Sequence, residues 1–252
     1  MSDGSELLDA IRSALRSGAD PERAVGQQRY MKSEMPFLGL TSPQRRELLR
    51  PLLADPAVRI ESRSAWECSV RGLWDGAQYR EDRYAALALL RHRAYRPWRD
   101  PDAMPLVEHL IVTGAWWDYV DEVGNVVGEV LLLDPEGEGL RMRAWSERED
   151  LWLRRSAIIS QLRHKDRTDT ALLEDVIEPN LGETEFFIRK AIGWALRQYA
   201  RTDPAWVQAF VDRHTHRLSG LSRREALKWT SPAARGAKTR GCDGFPQTAH
   251  EG

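Results

Sequence analysis

Apolar residues recur along this chain at intervals of three and four, the period of an amphipathic helix. Leu7, Leu8, Ile11 and Leu15 form one stripe, which Gly18 stops. Asp20-Pro21 has the form of an N-cap followed by proline at the first helical position, where the missing N–H is not needed. Ser42-Pro43 repeats that signal, and Asp102 and Asp203-Pro204 are read as further helix starts. Tyr84-Ala-Ala-Leu-Ala-Leu-Leu and Val126-Val-Gly-Glu-Val-Leu-Leu-Leu suit helices better than buried strands. No stretch alternates with period two, and no Asn-Gly or Asp-Gly turn separates β-branched runs. The pattern predicts an all-α protein of about a dozen helices joined by short loops.

A repeat is superimposed on this pattern. Leu153-Arg-Arg-Ser-Ala-Ile and Ile188-Arg-Lys-Ala-Ile-Gly align at a spacing of 35 residues. Ser222-Arg-Arg-Glu-Ala-Leu is a weaker third copy, its Arg223-Arg224 lying 34 residues after Arg189-Lys190. A period of this size made of helix pairs marks an α-solenoid of HEAT-like repeats, whose stacked pairs give a concave inner face. Basic pairs before apolar runs also arise by chance in an arginine-rich chain. The expected organisation is one right-handed solenoid domain over 1–230. From Ser231 the periodicity ends in a glycine-rich segment, read as a disordered tail over 231–252.

Composition narrows the function classes. The 252 residues, with a formal charge of −1 and 42% hydrophobic content, suit a globular chain with a substantial core. No apolar run is long enough to span a bilayer, and the polar start is not a signal peptide, so no membrane association is expected. Two distant cysteines, Cys68 and Cys242, make neither a disulfide framework nor a zinc cluster, which points to the reducing cytoplasm. Cys68, beside Trp66 and Val70, is expected in the core. Arginine outnumbers lysine 32 to five, as a GC-rich coding bias would produce, and ten tryptophans are generous for the length. A net charge near zero argues against a uniformly basic nucleic-acid binder, but it is a sum of unequal parts. Residues 101–150 carry a net −9 and residues 213–240 a net +7.

Two segments hold candidate chemistry. In Gly114-Ala-Trp-Trp-Asp-Tyr-Val-Asp-Glu-Val-Gly-Asn-Val-Val-Gly, a helix puts Trp116, Val120, Val123, Val127 and Val130 on one face. Trp117, Asp121, Gly124 and Gly128 fall on another. Glycine within a helix costs roughly 1 kcal/mol against alanine, so two on one face mean that something approaches closely. That something is either a packed helix, with Asp121 in an ordinary ion pair, or a ligand. In Glu185-Phe-Phe-Ile-Arg-Lys-Ala-Ile-Gly-Trp-Ala-Leu-Arg-Gln-Tyr-Ala-Arg, one side carries Phe187, Lys190, Trp194, Arg197 and Arg201. Ile188, Ala191, Ala195 and Tyr199 can serve the core. An aromatic–cation stripe suits nucleic acid, with cations on phosphates and rings on bases or sugars. It equally describes arginine stems lying over a buried tryptophan. Arg154-Arg155 adds cations at the matching place in the preceding repeat.

Other chemistries find no support. His214-Thr-His216 is a pair without an acidic or cysteine ligand nearby in sequence, so no metal site is expected. There is no phosphate-binding glycine loop and no Gly-x-Ser-x-Gly turn. An enzyme built from these residues would work with carboxylates, arginines and aromatics, without a cofactor.

At these residues the chain resembles the AlkD-like DNA alkylation repair glycosylases, a HEAT-like repeat family. Four segments carry the resemblance in order, between Tyr30 and Trp229. They are Tyr30-Met-Lys-Ser-Glu-Met-Pro-Phe-Leu-Gly-Leu, Trp116-Trp-Asp-Tyr-Val-Asp121, Trp152-Leu-Arg-Arg-Ser-Ala-Ile, and Phe186-Phe-Ile-Arg-Lys-Ala-Ile-Gly-Trp194. The resemblance implies Asp121 as catalytic carboxylate and Trp117 and Trp194 as aromatics flanking the deoxyribose of the lesion. It places Arg155 on the DNA backbone and Tyr30 beside the lesion nucleotide; from the aromatic–cation stripe, Lys190 and Arg197 are read as further DNA contacts. The family hydrolyses the N-glycosidic bond of cationic N3- or N7-alkylated purines in duplex DNA without a deep base pocket, unlike glycosylases that flip the base. Together these imply a monomeric, monofunctional, cytoplasmic DNA glycosylase acting on the nucleoid. The alternatives are self-resistance to a bulky alkylating agent, a non-catalytic module for bent or branched DNA, and a protein-binding scaffold. The acidic stretch around Asp121 is expected to lie mostly on the convex side, away from DNA.

Overall fold

The structure is a computed structural model that describes residues 4–230; the tail expected over 231–252 lies outside the described residues. Among the described residues there are α-helices and short 3-10 turns and no strands. In chain order the helices are α1 (Ser5–Ser17), α2 (Pro21–Met31), α3 (Ser42–Ala54), α4 (Arg63–Asp75) and α5 (Arg80–Arg91). They continue with α6 (Met104–Gly114), α7 (Trp117–Leu133), α8 (Pro135–Ser146) and α9 (Leu151–Ile159). The last four are α10 (Thr170–Ile177), α11 (Phe186–Tyr199), α12 (Pro204–Arg213) and α13 (Gly220–Ala226).

Local signals fix most helix ends. Leu7, Ile11 and Leu15 are the buried stripe of α1, and Gly18 ends it. Asp20 caps α2 by accepting from the Arg23 N–H, and Asp203 caps α12 by accepting from Trp206. Two starts differ from expectation by a residue or more. The cap of α3 is Thr41, not Ser42, because Thr41 and Gln44 satisfy each other's backbone donors in a capping box. Asp102 opens no α-helix; Asp100 caps a 3-10 turn over Pro101–Ala103, and α6 begins only at Met104.

Packing follows the logic of a helical repeat. The described residues form two compact units, divided between Ser160 and Gln161. In the first, α1 packs on α3, α3 on α5, α5 on α7 and α7 on α9, so alternate helices form a continuous row. In the second, α11 packs closely on α13. The three copies of the sequence repeat fall on α9, α11 and α13, each beginning at the third helical residue: Leu153, Ile188 and Ser222, all buried. This is the all-α, repeat-built architecture of the α-solenoid class. Each helix needs neighbours to cover its apolar face; Val120, Val123, Val127 and Val130 of α7 are completely or almost completely buried. Cys68 does not join the core. It is exposed, because the buried face of α4 passes through Trp66, Ser69, Val70, Leu73 and Trp74.

Candidate functional site

The first unit brings two carboxylates of α7 to two arginines from neighbouring helices. Asp121 lies one turn into α7, and its carboxylate is only 5% exposed. Arg155 of α9 meets it side-on in a two-bonded fork: Nε donates to Oδ1 at 2.8 Å and one Nη to Oδ2 at 2.8 Å. A guanidinium fork matched to both carboxylate oxygens fixes the plane of Asp121 as well as its charge. Burial pushes the Asp121 carboxyl above the usual aspartate range, while the charge and hydrogen bonds of Arg155 pull it back. One of the two glycines beside it has a structural explanation. A Cβ on Gly124 would lie 3.2 Å from Cδ1 of Ile159, so this glycine admits α9, which also carries Arg155.

Three residues earlier, Asp118 repeats the arrangement with α5. Arg80 donates from one Nη to both oxygens, at 2.7 and 2.9 Å, and the Tyr84 hydroxyl donates to Oδ2 at 2.6 Å. The Arg80 guanidinium also lies 4.2 Å from the centre of the Tyr119 ring. Burial first, and the Asp118 charge next, push the Tyr84 hydroxyl far above its ordinary pKa, so it stays a donor. The next residue, Glu81, is completely buried and accepts from the backbone N–H groups of Leu38, Gly39 and Leu40 at 2.9, 3.0 and 3.1 Å. Gly39 has φ +91°, and a Cβ there would sit 2.0 Å from the Asp20 carbonyl oxygen. The dipeptide Arg80-Glu81 therefore ties the Pro36–Leu40 segment to the first turn of α7.

Around this pair, Trp117 is half-buried, and Trp116 faces Trp152 with ring centres 6.2 Å apart. Tyr30, on the last turn of α2, is 59% exposed. Several acids of this stretch are paired across elements: besides Asp118 and Asp121, Glu122 meets Arg91 and Glu129 meets Arg99, while Glu138 meets Arg141 within α8. The arginine excess thus supplies interhelical partners for an acidic middle.

In the second unit, α11 presents its expected faces. Ile188, Ala191 and Ala195 are buried, Tyr199 packs edge-on against Trp206, and Phe187, Lys190, Trp194 and Arg197 are half-buried. Lys190 and Arg197 have a partner that the sequence reading did not assign. Glu225 of α13 accepts from Arg197 at 2.6 Å and lies 3.6 Å from Lys190. His214 also has acidic company, contrary to expectation. Glu174 and Glu178, some forty residues earlier, come within 4.8 Å of it and of each other. Arg213 also donates to Glu174 Oε1 at 2.8 Å, which brings a cation to the same group.

The sequence pattern points to no role for Arg80, Glu81, Asp118, Tyr84 or Glu225, which the structure shows holding other side chains or backbone groups. Asp118 stood inside a quoted motif, and Glu225 was visible as the one acid in a basic stretch. The partners of both lie outside any local pattern.

With this geometry in place, similarity to known proteins becomes informative. The family model described as "DNA alkylation repair enzyme" matches residues 11–230. A solved structure titled "Predicted DNA alkylation repair enzyme from Enterococcus faecalis" is 29% identical. It superimposes with a TM-score of 0.67, the match covering 85% of this chain and 97% of that one. No curated protein matches the chain. The matched span holds both carboxylate–arginine pairs and the whole aromatic–cation helix, and on that basis the chain belongs to the DNA alkylation repair enzyme family.

Proposed function

We propose that this protein is a cofactor-free DNA glycosylase that hydrolyses the N-glycosidic bond of cationic N3- or N7-alkylated purines in duplex DNA. The observation that carries this reading is the buried Asp121 carboxylate, held at both oxygens by Arg155 one turn below the half-buried Trp117.

The chemistry needs little more. A purine alkylated at N3 or N7 is positively charged, so it departs as a neutral base with the bonding electrons and needs no general acid. What develops is positive charge on the deoxyribose, an oxocarbenium-like centre. A preformed carboxylate in a poorly solvated place stabilises that charge strongly. Asp121 also orients the attacking water and accepts its proton as the new C1′–O bond forms. The electron-rich faces of Trp117 and Trp194 favour a cationic sugar. Tyr30 meets the lesion nucleotide, and Lys190 and Arg197 meet the backbone. Arg155 orients Asp121 and favours its ionised form against the effect of burial, a role additional to the backbone contact that the resemblance implies.

The test is incubation of the purified protein with methylated duplex DNA and chromatography of the released bases. Free N7-methylguanine or N3-methyladenine is expected. Asp121→Asn should lower release by about a hundredfold or more while the helical circular dichroism is retained. Undiminished release by that variant overturns the assignment. A second reading has its own support: a carboxylate this buried and fully paired also describes a structural ion pair in a non-catalytic module for bent or branched DNA. Tight binding of junction DNA without base release would favour it.

A further inference from the structure

Three cations of the second unit converge on one carboxylate. Glu225, whose side chain is 11% exposed, accepts from Arg197 Nη1 at 2.6 Å and from Lys228 Nζ at 2.7 Å, with Lys190 Nζ at 3.6 Å. The three come from different places: Lys190 and Arg197 two turns apart on α11, and Lys228 from the 3-10 turn after α13. They meet because Gly193, between the two α11 cations, has no side chain. A Cβ there would lie 2.6 Å from Glu225 Cβ, so the glycine lets α13 lay its carboxylate against α11.

The charge within this cluster does not balance. Three positive groups share one negative group, leaving an excess of two, and Lys228 is half exposed to solvent. Next to it, Arg201, in the turn just past the end of α11, is exposed and lies 5.1 Å from the Trp229 ring, extending the cationic edge. Cations held together by an insufficient counter-charge attract a further anion. Lysine ammonium groups are compact charges that donate to phosphate oxygens in many directions.

We propose that Lys190, Arg197 and Lys228, gathered by Glu225, form a single seat for one phosphate of the DNA backbone. Glu225 is the organising carboxylate: it holds the cations in place before DNA arrives and keeps their mutual repulsion low. The seat rests on DNA being the ligand, but not on glycosylase chemistry.

The experiment is anisotropy of a labelled, unmodified duplex titrated with the full chain across a salt series. Lys228→Gln and Lys190→Gln should each weaken binding at low salt about three- to tenfold and reduce the slope of log K against log salt by about one. Because both serve one phosphate, the double variant should lose less than the product of the single losses. In a Glu225→Gln background that coupling should vanish. Unchanged slopes in both single variants overturn the proposal, as does an equal effect of Lys165→Gln, an exposed lysine elsewhere in the unit. Saturable binding of inorganic phosphate at matched ionic strength, with DNA slopes unaffected, would assign the cluster to a free anion and also overturn it. Base release by the wild type is read separately. Lowered slopes without any release leave the seat standing and sink the glycosylase reading; release with unaltered slopes does the reverse.

Discussion

Two carboxylates respond to pH in opposite directions, and each direction follows from its surroundings. Burial raises the Asp121 carboxyl above its ordinary range, so the native state binds that proton more tightly than the unfolded chain does. Ionisation of Asp121 is therefore unfavourable to the fold, and its contribution improves as pH falls through the raised native value. Burial also pushes Glu225 upward, but the hydrogen bond from Lys228 and the charges of Arg197 and Lys190 outweigh it and set the carboxyl below the usual glutamate range. Its contribution is complete above that usual range and is lost as pH falls through the lowered value. Urea unfolding of the wild type, Asp121→Asn and Glu225→Gln across mildly acidic pH should show this. The stability gap to Glu225→Gln narrows towards acid, while the gap to Asp121→Asn shifts in favour of the wild type. Base release should fall on the acid side as Asp121 takes up its proton. It should show no alkaline fall from a general acid, because the leaving base is already cationic. Arg155→Ala leaves a buried carboxylate without its partner and should cost about 3–5 kcal/mol, read by the same unfolding experiment.

At the scale of elements, two glycines and one glutamate decide how helices and loops meet. Gly193→Ala places a Cβ against Glu225 Cβ and the Ser222 backbone, atoms that are not flexible ends. The α11–α13 packing must open, at about 1–3 kcal/mol, with a lower melting temperature as the readout. Glu81→Gln gives the Leu38–Leu40 backbone an NH2 group where a carboxylate oxygen accepted. The expected loss is about 2–3 kcal/mol, with faster hydrogen exchange at those amides. The helices themselves were legible because their signals are local. The stripe of α1, the Asp20 and Asp203 caps and the long apolar runs of α5 and α7 were all readable in sequence. The cap of α3 was misplaced by one residue because threonine and serine compete for the same role, and only the Thr41–Gln44 hydrogen bonds decide between them. Cys68 was misplaced because an apolar neighbourhood in sequence does not say which side of α4 is covered.

For the whole molecule, the net charge of −1 is a sum over unequally charged regions, and pairing decides where charge is left over. Acids of the middle region meet arginines across helix interfaces, while a surplus of cations remains around Glu225. The chain's two compact units divide at Ser160–Gln161. Just after the division, Gln161 closes a loop by exchanging hydrogen bonds with the Asp169 backbone at 2.9 and 2.8 Å. The exposed Arg163, Lys165 and Arg167 lie within that loop. Gln161→Ala should make the loop a preferred tryptic site, cut faster than in the wild type and yielding two fragments on a gel.

The sequence by itself determined the helical class, the repeat and its period, most helix starts, and the two segments whose residues attract functional attention. These are consequences of periodicity and of capping within a few residues. Tertiary structure alone decided which charges meet. Asp121 finds Arg155 34 residues away, Asp118 finds Arg80 at 38, and Glu225 finds Arg197 at 28. Each separation is close to one repeat, so the period made such meetings available. An arginine-rich chain, however, offers several cations at that distance from every acid. The choice among them falls to the close approach of neighbouring helices, which Gly124 permits between α7 and α9 and Gly193 between α11 and α13.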